Sequence, residues 1–116
     1  MFNESPLTIN RKQGKTEDTC IFSLAGPLIL RTMFELQSLL RGKQPPLLTV
    51  LDLAEVPYVD SAALGLIVNH YVHCQSKGAR MVVAGANSRI LDLFKITKVD
   101  SVIPLAATVE DAEADA

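Results

Sequence analysis

The stretch Val59-Asp60-Ser61-Ala62-Ala63-Leu64-Gly65 sets a carboxylate beside a hydroxyl where an apolar run gives way to helix-forming residues. At a helix start the first backbone N–H groups lack intrahelical acceptors, and the helix dipole favours negative charge. A phosphate on Ser61 is therefore tolerated electrostatically by the helix end. Its roughly two negative charges beside Asp60 would nonetheless change how that surface meets an acidic or apolar partner. The plainer role of the same pair is helix capping, worth about 1 kcal/mol. Spacing alone is fully satisfied by that role.

Other reactive side chains make weaker constellations. His70, His73 and Cys74 lie at helical spacing, and His70 with Cys74 at i and i+4 presents two soft ligands to one point. A structural zinc takes four ligands, and no fourth is evident, so no metal site is assigned and these residues read as half-exposed polar positions opposite a core face. Ser61 and His70 do not form a hydrolase pair, because a Gly-x-Ser-x-Gly elbow is missing and nine residues of one helix separate them. Gly85-Ala86-Asn87-Ser88 has the look of a strand-to-helix connection with a cap rather than a phosphate cradle. Tyr58, Leu28 and Ile29 serve either as an apolar contact patch beside Ser61 or as ordinary core and shoulder residues.

The elements that position these groups follow from hydrophobic period. Leu7 to Lys12 and Thr19 to Ala25 read as two strands of a hairpin around the polar turn Gln13 to Asp18. Gly26-Pro27 ends the second. A helix is predicted over about Leu28 to Arg41, with Leu30, Met33, Phe34 and Leu40 inward and Gln37 a polar gap. Gly42 and Pro45-Pro46 stop it. Leu47 to Leu53 is an almost unbroken apolar run of strand length. After Glu55 to Val59 a helix is predicted over about Ala62 to Ser76, with Leu64, Ile67, Val68, Tyr71 and Val72 on its buried face and Lys77-Gly78 closing it. Met81 to Ala84 reads as a strand, and Ile90, Leu91 and Phe94 as the apolar side of a short helix capped near Asn87. Val102-Ile103 reads as a last strand, and the acidic end as a final helical turn or, over 110–116, a frayed tail. The fold class is α/β, a mixed four- to five-stranded sheet with an N-terminal hairpin and helices mainly on one face.

A chain of 116 residues suits a single domain over 1–116, and 48% hydrophobic against 21% charged residues argues for a packed core rather than disorder. A net charge of -2 without a Lys/Arg stripe disfavours nucleic acid. No apolar run reaches the roughly 18 residues of a membrane span, and Met1 to Lys12 lacks a signal-peptide pattern, so a cytoplasmic protein is expected. Cys20 and Cys74 read as reduced thiols. Nothing calls for a cofactor.

Asp52-Leu53, the run Pro57 to Gly65, Lys77 to Gly85 and Leu93 to Asp100 together resemble the anti-sigma factor antagonist family, domains of the sulfate transporter and anti-sigma antagonist (STAS) type. The likeness runs from about Leu24 to Val109. It implies partner switching without catalysis. An anti-sigma factor with serine kinase activity would bind the domain and phosphorylate the serine matching Ser61, and a serine phosphatase would reset it. Asp60 would shape the turn, while Ala62, Ala63 and Gly65 would let the partner approach closely. The sequence departs from the family's pattern at Ala62, often Ser or Thr, at Ala63, often Gly, and at Ile29, where an Asp is common. Those departures motivate an alternative, a constitutive STAS scaffold or a subunit of a larger assembly of stressosome-like or lipid-transport type.

Overall fold

A computed structural model describes residues 6–41 and 44–114. Strands β1 (Thr8–Gln13) and β2 (Thr19–Ala25) pair antiparallel, with Thr8 opposite Ala25 and Gln13 opposite Cys20. The Gly14 N–H donates to the Thr19 carbonyl at 2.8 Å and closes their turn. There follow α1 (Phe34–Leu40), β3 (Leu48–Glu55), α2 (Ser61–Ser76), β4 (Arg80–Ala84), α3 (Ser88–Ile96), a 3₁₀ turn (Val99–Ser101), β5 (Leu105–Ala106) and α4 (Val109–Ala114).

The strands lie in sequence order, β1-β2-β3-β4-β5, and every pair after the hairpin is parallel. This is the mixed α/β sheet expected from the sequence. Parallel neighbours require crossovers, and such crossovers are right-handed. Because each step moves the same way across the sheet, α1, α2 and α3 all fall on one face. The register confirms the layering. Cys20, Thr49 and Met81 form one row, and Phe22, Leu51 and Val83 the next, all pointing at those helices. Ile21, Val50 and Val82 point the other way, where Ala112 of α4 covers them. The main core holds Leu24, Leu53, Ile67, Ile90, Phe94 and Ile103, and each such side chain contributes about 1.5–3 kcal/mol on burial.

Three elements differ from the sequence reading. The first helix is confined to Phe34–Leu40, because Leu28 stays extended and bridges Val59 in parallel. Its N–H donates to the Tyr58 carbonyl, and its own carbonyl accepts from Asp60 N–H. Gly26, at φ 106°, makes the turn that permits this; a Cβ there would meet the Pro6 carbonyl oxygen at 2.8 Å. Consequently Leu36 is the buried residue of α1, flanked by Met33 and Leu40, while Leu30 and Phe34 face outward. The last strand is Leu105–Ala106 rather than Val102-Ile103. The N–H groups of Val102 and Ile103 are both taken by the Val99 carbonyl, so pairing with β4 begins only at Pro104, whose carbonyl accepts from Val83 N–H. On α2, Leu64 and Ile67 are buried as expected, but Val72 is exposed and the buried stripe continues through Leu66, His70 and Cys74.

Candidate functional site

The β3-to-α2 connection delivers Asp60 in extended backbone conformation, at φ -95° and ψ 177°, as the N-cap of α2. Its Oδ1 accepts from Ala63 N–H at 2.9 Å, the bond that an Asp cap ordinarily makes. Its Oδ2 accepts from Leu30 N–H, also at 2.9 Å. One carboxylate therefore joins the start of α2 to the segment between β2 and α1. That segment is held from its own side by Thr32, whose Oγ1 accepts from Ile29 N–H at 3.0 Å and donates to the Pro27 carbonyl at 2.7 Å. A third strut comes from Asn87. It caps α3 by accepting from Ile90 N–H, and its Nδ2 donates to the Val56 and Pro57 carbonyls.

Ser61 is the first residue of α2 and is exposed. Among the described residues its hydroxyl has no hydrogen-bond partner, and its N–H and that of Ala62 have no acceptor. A free hydroxyl stands at the positive end of a 16-residue helix, on a turn fixed by three side-chain struts. Apolar surface lies beside it. Leu30 is 53% and Phe34 56% exposed, enough for both to offer most of their contact area to a neighbour, and with Ile29, Arg31 and Asp60 they line a shallow concavity. Sequence reasoning placed Leu30 and Phe34 inside, so it missed them as surface residues; the signal was the Gly26-Pro27 pair, which delays the helix past Leu30.

The residues singled out in the sequence separate into two groups. Asp60, Ser61, Ala62 and Gly65 share the exposed or half-exposed start of α2, and Ile29 and Tyr58 lie half-buried, with the Arg89 guanidinium 5.1 Å above the Tyr58 ring. Leu28 and Ala63 are fully buried in the core, which corrects their reading as contact residues; they fix the backbone beneath the exposed residues. Gly65 is different again. A Cβ there would have nothing within 4 Å, so no packing inside the domain calls for glycine.

The histidine and cysteine positions are also corrected. His70 and Cys74 are buried rather than half-exposed, because α2 is apolar over most of its circumference and turns this edge onto the Cys20-Thr49-Met81 row. Cys74 Sγ and His70 Nε2 are 3.5 Å apart, and the His70 and His73 rings lie 5.9 Å apart. Burial, and secondarily the charge of His73, pushes the His70 pKa below the usual imidazole value. Burial pushes the Cys74 thiol up, and the neighbouring Thr49 hydroxyl opposes it. No cluster of three or more His, Cys, Asp or Glu side chains suited to a metal occurs among the described residues. Both cysteines are free. No helix among those residues is long and apolar enough to cross a membrane.

This layered sheet, an antiparallel hairpin followed by parallel strands whose crossover helices share one face, is the fold of solved STAS domains. The chain belongs to the STAS domain family, whose sequence profile matches residues 11–112. The anti-sigma-B factor antagonist of Listeria monocytogenes is 33% identical over 55 residues, covering 47% of this chain and 48% of its own. Mouse solute carrier family 26 member 10 is 28% identical over 125 residues, 96% of this chain but 18% of that protein. The chain thus spans about half or less of the curated relatives it matches. Among solved structures, the unphosphorylated anti-sigma factor antagonist SpoIIAA superposes with a TM-score of 0.79 at 14% identity, over 93% of this chain and 95% of its own. The Bacillus protein has also been solved in phosphorylated form, with a TM-score of 0.74 at 14% identity over 93% of this chain and 98% of its own. At that identity the likeness establishes the fold.

Two outcomes follow from this geometry. Asp60→Ala removes the α2 cap and the Leu30 tether together, and should lower unfolding stability by about 1–2 kcal/mol in urea titrations. Hydrogen exchange should quicken at the Leu30 and Ala63 amides, while Asp60→Asn, which keeps one acceptor, should lose less. The second concerns pH. With the folded-state pKa of His70 depressed, the unfolded chain binds more protons as pH falls below about 6.5, so stability present at neutral pH is lost on acidification. With the Cys74 pKa raised, stability is lost again as pH rises above the ordinary thiol range. Thermal midpoints measured across pH should therefore peak near neutrality, and His70→Gln should flatten the acid limb.

Proposed function

We propose that the chain is an anti-sigma factor antagonist, a non-enzymatic regulator in the cytoplasm that binds an anti-sigma factor through the surface around Ser61. The observation that carries this reading is the free Ser61 hydroxyl, exposed on a rigid helix start and bordered by the outward apolar side chains of Leu30 and Phe34. A partner with serine kinase activity would dock on the apolar border and reach the hydroxyl. The phosphate product would sit on unclaimed N–H groups of the helix end, so the domain would stay folded. Its charge, added beside Asp60, would disfavour the same docking, and a serine phosphatase would restore it. The existence of phosphorylated and unphosphorylated forms of SpoIIAA, which shares the fold, supports the reading.

Incubation with a purified anti-sigma factor kinase from the same organism and ATP should place one phosphate on Ser61, as read by mass spectrometry. Ser61→Ala should bind the partner and accept no phosphate, and Ser61→Asp should weaken binding by about tenfold or more. Absence of phosphate at Ser61 together with unchanged binding by Ser61→Asp would sink the proposal. That pair of results is what the second reading, a constitutive STAS scaffold or assembly subunit, expects. The second reading draws on Ala62, Ala63 and Ile29, and on the likeness of nearly the whole chain to a segment of a solute carrier.

Gly65 supplies an independent check. Gly65→Ala should stabilise the domain by about 0.5–1 kcal/mol, since the position is helical and open. It should at the same time weaken partner binding, because the added methyl stands on the docking face one turn from Ser61. A variant that is more stable and binds equally well would remove Gly65 from the interface.

A further inference from the structure

We propose that the cleft between α1 and α2, at the end of α2 away from Ser61, is a binding site for a small amphipathic anion: an apolar body bearing a carboxylate, sulfonate or phosphate. The proposal is independent of the reading of Ser61. Two adjoining cavities of about 210 and 70 Å³ share Leu40 and His70. Their apolar walls are Phe22, Leu40 and Leu66, contributed by β2, α1 and α2. Their charged rim is cationic, with Arg41 on the outer cavity and Arg11 on the inner one. Among the described residues no Asp or Glu lines either cavity, although the chain carries 13 Asp and Glu against 11 Lys and Arg. Neither guanidinium has a carboxylate partner among the described residues, and Arg11 lies 5.8 Å above the Phe22 ring, at the border of the apolar wall.

The floor carries a second, separate indication. Thr49, 1% exposed, lines the inner cavity, and among the described residues its Oγ1 has no hydrogen-bond partner. It lies near enough to Cys74 to influence the thiol, but the two do not meet hydrogen-bond geometry. Buried polar atoms without partners are uncommon, because each gives up its hydrogen bond to water and gains none in return. His70 lines both cavities, with its Nε2 in hydrogen-bond contact with the Cys74 sulfur at 3.5 Å. An apolar body between Phe22, Leu40 and Leu66 would put an anionic head at the Arg rim and leave a polar edge for Thr49 or His70. A neutral apolar ligand would leave the two guanidiniums unused, and a cation would be repelled by them.

The test uses the full chain and two naphthalene probes of equal shape, naphthalene-1-sulfonate and the uncharged naphthalene-1-methanol, titrated by ¹⁵N–¹H NMR. The expected result is saturable shifts of the Phe22, Leu40, Leu66 and His70 amides, with the sulfonate binding about tenfold more tightly than the alcohol. Arg41→Glu should abolish that preference without moving the thermal midpoint. Arg11→Glu, on a different element, should reduce it as well, so the outcome does not hang on one variant. Equal affinity for the two probes, shifts centred on Leu30 and Phe34 instead, or an absence of saturation would each overturn the proposal.

Discussion

The carboxylate of Asp60 is the interaction on which the exposed face depends. One oxygen closes the N-terminus of α2 and the other holds the Leu30 amide, so two segments far apart in sequence share a single anchor. Without it, the α2 start would lack its cap and the turn before α1 would lose its side-chain link to α2, keeping Thr32 and the Leu28–Val59 bridge among its remaining ties. The position of Ser61 relative to Leu30 and Phe34 is thus set by backbone hydrogen bonds to a fixed side chain. Such preorganisation matters for a docking surface, because segments already ordered cost less entropy when a partner arrives.

That anchor works because of where the sheet places its parts. The strand order advances by one neighbour at each crossover, so all three crossover helices crowd one face and the loops after β2, β3 and β4 emerge along one edge. Leu28, Asp60 and Asn87 come from those three loops and meet there. α4, on the opposite face, closes the second layer over Val50 and Val82 and takes no part in that edge.

The sheet was readable from the sequence because its strands carry the strongest periodic signal: Thr19–Ala25 and the Leu48 run are apolar over strand length and bounded by turn residues. The helix start at Ser61 was readable for a similar reason, since Asp60 caps it in the ordinary way. The errors cluster where tertiary pairing competes with local preference. Leu28 has a helical spacing to Arg31 and Thr32, yet its hydrogen bonds go to Tyr58 and Asp60. Val102 and Ile103 are β-branched, yet Val99 takes both their amides. On α2 the apolar residues surround most of the helix, so period alone does not say which edge meets the sheet. The edge that does carries His70 and Cys74, which read from the sequence as half-exposed polar positions although free cysteine is among the most often buried residue types.

The small residues at the start of α2 answer to two different constraints, and their environments tell them apart. Ala63 is fully enclosed and belongs to the same core as Leu28 and Val59, so its size is set from within. Gly65, two residues on, faces open space, and glycine in a helix interior costs about 1 kcal/mol relative to alanine. Nothing in the fold returns that cost: no positive φ requires glycine there and no neighbour approaches it. The proposed docking of a partner on this face would account for a residue that weakens its own helix without serving the packing, since bare backbone lets another surface come close. It stands one helical turn from the Ser61 hydroxyl, so the backbone that is left bare and the hydroxyl proposed as the switch belong to one face.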